Sequence, residues 1–455
     1  MTKKYPALYV GLHMLLGCAW GAGIRMPVVY VLLALWFPFR EKWQIVKGLV
    51  FFVLALLYSL PRPTEDNRFV ISSVSIYHSP FKQTGYLYKG KWNNVPHSVI
   101  SKHHYVVNCD YWMEGKDWKE VPGSFSFAEM RFQCKEALRK YLKRHISDAK
   151  VQAFLCSLAT GEIEERTLAF EFSRLGLSHI LAISGFHFGL IAFFFSFILK
   201  FFFSPKKTAF FLLCIITGYF FFMGNAPSVQ RAWIAITMAL LAQLFNLRYS
   251  SLNALGAGLI IAITLDPYVV SHLGFQLSFL CTLAILLLYP LCEKRMRWVF
   301  PKKSLTETLK FSSLDKYGYI VTTFLRKALA LNFAVHLVAL PTLLYLFHKF
   351  PLSSFAYNLF FPIGVTISLF LLILSFALPF LHQINSYFTS GLLHISSNPL
   401  PLFDVYVYSD WITVDLLFLF FGILLLCNTL QMKKDKSVLI FTPHLIVVLA
   451  AVFLR

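Results

Sequence analysis

Two histidines and two serines interrupt one of the longest apolar regions of the chain, in the segment GLSHILAISGFHFG over Gly176–Gly189. His179 and His187 offer protonatable donors, and Ser178 and Ser184 offer neutral hydrogen-bond partners. A polar group in hydrocarbon without a partner costs roughly 2–7 kcal/mol. Polar residues at membrane depth therefore face a cavity, a pathway or a partner helix. The Ser184–Gly185 step also permits a bend and close backbone approach. On one continuous helix, positions 179 and 187 stand about 12 Å apart, so they share no metal ion unless that step breaks the helix. This is the chemistry of a wall lining a polar route, although a packed, hydrogen-bonded histidine also fits.

Other polar islands follow in the apolar half. NAPSVQR places Arg231 at the start of a helix, where it either attracts an anion at a mouth or snorkels to lipid head groups. Asp266–Pro267 ends a helix, as proline blocks continuation. Gly274–Ser278 carries Gln276 and Ser278 inside an apolar helix, where they line a route or act as interhelical glue. A weaker island, SSFAYNLFFP, contains Asn358 and Pro362. No phosphate-binding loop, Cys-x-x-Cys pair, GxSxG elbow or two-metal hydrolase cluster is present. No cofactor, metal or enzymatic activity is expected.

The elements that must position these residues are membrane helices. The 455 residues are 57% hydrophobic and only 14% charged. Several apolar runs approach the roughly 20 residues that a bilayer core requires, and they are continuous rather than alternating, which favours helices over a β-barrel. The net charge of +20 is explained in good part by Lys and Arg flanking apolar runs, above all between Cys292 and Lys327. Placing those inside gives a cytoplasmic amino terminus and a polytopic α-helical membrane protein of about 10–11 transmembrane helices. A single crossing is expected from about Ser178 to Phe203. The run Pro351–Leu381 reads as one long helix or two part-helices.

Residues 61 to about 150 form the one extended polar island. Its first part is rich in β-branched and aromatic residues and reads as short strands; about 60 such residues suffice for a small oligonucleotide-binding (OB) barrel. Cys109 and Cys134 are its only cysteines, a candidate disulfide if the island is extracytoplasmic, or two free thiols. The expected organisation is three transmembrane helices over 1–60, an extracytoplasmic OB-like β domain over 61–125, and an amphipathic helical connector over 126–158. A channel domain over 159–381 follows, then an amphipathic segment and C-terminal helices over 382–455.

The order and wording of the islands carry more than any one of them. HILAISGFHFGL, then PSVQRAWIAITMALLAQL, then NLRYSSLNALGAGLIIAITLDPYVVSHLGFQLSFLCTLAIL, then LPTLLYLFHKFPLSSFAYNLFFP closely resemble the competence domain of the ComEC DNA-uptake family. The resemblance runs from about Ala159 to about Phe380 and is most specific around His179–His187 and Asp266–Ser278. It implies a channel of the bacterial cytoplasmic membrane that passes single-stranded DNA inward during natural transformation. His179, Ser184, Gly185, His187, Arg231, Gln276 and Ser278 are the expected pathway residues. Gly176, Asp266, Pro267, Gly274 and Asn358 are expected to shape the motif. The implied partners are single-stranded DNA, membrane lipid, a DNA receptor outside and an ATP-driven helicase inside; a homo-oligomer is open. Many family members carry a carboxy-terminal metallo-β-lactamase-like domain. The sequence runs to Arg455 without one, so nuclease activity is not carried over. The alternatives are a small-solute or nucleotide transporter, and a membrane-embedded hydrolase built on Ser184 and His187.

Overall fold

The computed structural model describes residues 5–22, 42–60, 68–78, 84–92, 95–101, 110–114, 117–121, 127–163, 165–224, 226–401 and 404–409. The second of the three expected amino-terminal helices and the last apolar runs lie outside the described residues.

Proline opens several helices, since its missing N–H falls where no helical partner exists. Pro6, Pro205 and Pro227 begin α1 (Pro6–Gly21), α8 (Pro205–Met223) and α9 (Pro227–Leu244). Helix α2 spans Lys42–Ser59. α1 is pressed against both α2 and α10 (Ser251–Leu265). A Cβ added at Gly17 would fall 2.3 Å from the Phe52 carbonyl, and one at Gly256 would fall 2.1 Å from the Leu8 nitrogen. Only glycine permits such backbone contact between apolar helices.

The polar island folds into five antiparallel strands: β1 (Arg68–His78), β2 (Thr84–Trp92), β3 (Val95–Ser101), β4 (Asp110–Glu114) and β5 (Asp117–Val121), in the order β3-β2-β1-β4-β5. In β1 the buried residues switch parity, from Phe69 and Ile71 to Val74. Strand side chains alternate strictly, so one extra residue is needed to keep both sets on one face. The ladder supplies it as a bulge between Ile71 and Ser73. Tyr88 is fully buried and packs in this core with Ala128 and Phe132 of α3 (Phe127–His145).

Three apolar clusters form the rest. The first joins α1, α2 and α10 to α11 (Leu273–Met296) and α13 (Ser313–Phe347), which follows the short α12 (Leu305–Leu309). The second joins α3, α4 (Ala149–Thr160), α5 (Arg166–Arg174) and α6 (Ser178–Leu181) to α14 (Ser353–Ser375) and α15 (Leu381–Ser397). The third contains α7 (Gly185–Phe202), α8 and α9. Pro362 sits within the continuous α14, so the one-helix alternative holds there. A two-stranded strap, β6 (Lys349–Pro351) with β7 (Tyr406–Tyr408), is pinned to α5 by a paired contact between Arg174 and Asp404.

Among the described residues, five helices are long and apolar enough to cross a membrane: α7, α8, α11, α13 and α14. The chain is a multi-pass membrane protein. The β domain marks one end of the bundle. From α3, Lys135 Nζ donates to the Met223 carbonyl at 3.3 Å at the end of α8. Tyr58 donates to the Thr264 carbonyl at 2.7 Å, bringing the ends of α2 and α10 together. The starts of α9 and α11 are thereby at the β-domain end, and the basic Cys292–Lys327 loop is at the other.

Candidate functional site

The expected single crossing from Ser178 is broken. α6 ends at Leu181, and residues 182–184 are not helical. Ser184 is extended, at φ −127° and ψ 175°, and caps α7. Its hydroxyl accepts from the Phe186 N–H at 3.3 Å, and its own N–H donates to His187 Nδ1 at 3.3 Å. This reciprocal arrangement is a capping box, with histidine in the place usually held by Glu or Gln. The serine's local bonding competes with continuing the helix, which is the physical reason for the break. Ser228, at the start of α9, holds the broken stretch by donating to the Ile183 carbonyl at 2.9 Å.

Gly176 supplies the turn before it. At φ +69° it stands where side-chain residues are strained. The Leu177 N–H reaches back to the Phe172 carbonyl at 2.7 Å, closing α5. A Cβ on Gly176 would lie 2.6 Å from Ser354 Cβ. The motif is thereby docked on the start of α14.

Arg231 meets the first turn of α7. Its Nε donates to Ser278 Oγ at 2.8 Å. A Cβ on Gly185 would lie 3.2 Å from its Nη2, so glycine here lets the guanidinium approach the helix. The partner of Arg231 is a hydroxyl, and among the described residues no carboxylate pairs with it. Its positive charge adds to the positive end of the α7 dipole. His187 is fully buried in the same turn, and its Nε2 lacks a hydrogen-bond partner.

A second polar knot adjoins the first. His179 lies within electrostatic reach of both His187 and His336. His336 Nδ1 contacts the Asn332 carbonyl at 2.8 Å, so that nitrogen carries the proton. Its Nε2 then accepts from Ser354 Oγ at 3.0 Å, and Ser354 Oγ accepts from Asn358 Nδ2 at 2.9 Å. The imidazole stacks on Phe355, with centroids 4.2 Å apart.

Of the expected residues, Ser184, Gly185, His187, Arg231 and Ser278 converge, with Gly176, His179 and Asn358 beside them. The others do not join this seam directly. Gln276 donates to the Val270 carbonyl at 2.9 Å and braces the turn between α10 and α11. Asp266 caps that turn by accepting from the Tyr268 N–H at 3.2 Å, with Pro267 as its first residue. Gly274 lies on the first turn of α11 with His272 Nδ1 3.6 Å from an added Cβ. Cys134 is exposed on α3, and Cys109 lies outside the described residues. His336 and Asn332 were not anticipated as site residues. Their signal was two polar residues four apart, hence on one face of an otherwise apolar helix.

The seam residues come from elements of all three apolar clusters. Arg231 and His187 belong to helices of the third cluster, Ser278 and His336 to helices of the first, and His179 and Ser354 to helices of the second. A seam between three packed bodies can offer a charged, hydroxyl-rich surface screened from lipid. A family model described as Competence protein matches residues 159–434. ComE operon protein 3 of Bacillus subtilis (strain 168) is 27% identical over 198 residues, which is 43% of this chain and 22% of that relative. The similarity thus spans about a fifth of the relative's length. No solved structure matches.

Proposed function

Because this chain belongs to the competence protein family, we propose that it is a bacterial cytoplasmic-membrane channel that passes single-stranded DNA inward during natural transformation. The observation that carries this reading is Arg231, held by Ser278 against Gly185 at the start of α7, with no carboxylate partner among the described residues. A phosphodiester backbone presents one negative charge per nucleotide. A guanidinium and a helix amino terminus side by side suit such a charge. The hydroxyls and histidines around them provide neutral partners for successive groups of the strand.

The β domain stands at the same end of the bundle as Arg231. Its outer strands in the described sheet are β3 and β5; pairing these would close a five-stranded OB-like barrel. In this proposal that end faces outward, the amino terminus and the basic loop face the cytoplasm, and about 10–11 helices span the membrane. A DNA receptor outside, an ATP-driven helicase inside and self-association into a homo-oligomer complete the scheme. Ser184 uses its hydroxyl to cap α7, which argues against a hydrolytic role. A broken helix at membrane depth also suits a small-solute or nucleotide transporter, so import of labelled DNA should be compared with import of labelled nucleotides.

The deciding experiment replaces His187 with Leu. Transformation should be lost while membrane abundance and surface DNA binding persist. Wild-type transformation in this variant would remove His187 from the pathway.

A further inference from the structure

Arg131 bonds two carbonyls that regular secondary structure leaves over. The first belongs to the bulge in β1. Ile71 pairs with Gly90 and Ser73 with Lys89, so Ser72 falls between ladder positions. Arg131 Nη1 donates to the Ser72 carbonyl at 3.3 Å. The second belongs to the end of α8, whose last four carbonyls have no partner within the helix. Arg131 Nε donates to one of these, the Phe221 carbonyl, at 2.9 Å. A cation at this position also complements the negative end of the helix dipole.

The surroundings are shaped for this contact. Gly224, at φ +100°, follows α8, and a Cβ there would lie 3.2 Å from Arg131 Nη1. The Phe127 and Phe221 rings meet with centroids 5.7 Å apart. One turn along α3, Lys135 bonds the Met223 carbonyl and Glu162. Arginine is the side chain that can bridge two such acceptors, because its donors form a rigid planar fork. The α8–α9 turn leads within a few residues to Arg231.

We propose that Arg131 is a positioning residue that couples the β domain to the α8–α9 turn. It ties the bulge of β1, the connector α3 and the end of α8 into one joint. A displacement of the β domain is thereby passed to the start of α9, which carries Arg231. The coupling stands on geometry alone, and its consequence for DNA import rests on the proposed function.

The test places spin labels at Ser72→Cys and Ala226→Cys in full-length protein whose native cysteines have been replaced. The parent should give one narrow distance distribution. Arg131→Met, which keeps the apolar stem and removes both donors, should broaden it. Gly224→Ala should broaden it too, while leaving Arg131 in place. In cells, Arg131→Met should lower DNA import tenfold or more at unchanged membrane abundance. A narrow distribution in both variants overturns the joint. Broadening with undiminished import upholds the joint and overturns the DNA reading of this end of the bundle.

Discussion

Replacing Glu162 with Gln probes the electrostatic seat of the connector. Glu162 accepts from Lys135 Nζ at 2.8 Å and from Arg139 Nη2 at 2.5 Å, and the two cations are only 6% and 1% exposed. Burial pulls the Lys135 ammonium pKa down, and Glu162 opposes that pull. The amide keeps the shape and one acceptor oxygen but removes the charge that both cations face. Neutralising one partner of a buried ion pair costs about 3–5 kcal/mol. Glu162 itself is 20% exposed, so solvent screening brings the figure toward the lower end, about 3 kcal/mol. With 1.4 kcal/mol per factor of ten, that is roughly a hundredfold rise in the opening of α3. Amide hydrogen exchange across 127–145, measured in lipid nanodiscs, reads this opening directly. Exchange within threefold of the parent would refute the assignment of Glu162 as the shared counter-charge. A Lys135→Met, Glu162→Gln double variant should recover part of the loss, since Arg139 keeps Glu136 at 3.2 Å and the cation left without a carboxylate is gone.

Gly176→Ala should destabilise the motif by about 1–2 kcal/mol from the left-handed backbone alone. The 2.6 Å approach to Ser354 adds to this, and a thermal scan in detergent should show a lower midpoint, whereas an unchanged midpoint would mean the turn relaxes freely. The Arg174 guanidinium bonds Asp404 and holds its carboxyl below the usual range. A depressed folded pKa contributes stability above the ordinary carboxylate value, near 3.9, and loses it as pH falls through the folded value. Protease release of the β6–β7 strap should therefore be flat between pH 5 and 8 and rise only in acid. Asp404→Asn should show that release already at neutral pH.

Much of this arrangement was legible in the residues, and the failures have physical reasons. The strands of the polar island follow from its β-branched and aromatic content, and the helix after Ser126 from apolar residues at helical spacing. The bulge at Ser72 could also have been read, because apolar residues switch from odd to even positions between Ile71 and Val74. In the sequence the Ser184–Gly185 step shows only a permitted bend. Polarity alone does not reveal that His187 can close a capping box. Gln276 was polar in an apolar helix, which is the same signal a pathway residue gives, yet its bond is to the carbonyl of Val270 six residues back. His336 and Arg131 escaped because their meaning lies in partners distant in sequence, Ser354 in one case and Ser72 with Phe221 in the other. Pattern locates groups that need partners, and only tertiary structure names those partners.

Helix α13 is 35 residues long, about 52 Å at 1.5 Å per residue. A hydrocarbon core of about 30 Å could hide all of it only at a tilt near 55°, beyond the roughly 0–40° at which membrane helices lie. One end therefore projects beyond the hydrocarbon core, and the amino-terminal end carries Asp315 and Lys316 in its first turn. Near the foot of this stem, Arg326 is tethered to the Phe300 carbonyl at 3.0 Å. Farther along the same rod, some 35 Å from the tip, His336 grips Ser354. A straight stem held near Arg326 would act as a lever arm. A swing of a few degrees at its projecting end would become a sub-ångström to ångström shift of a histidine inside the bundle, without any helix having to unwind.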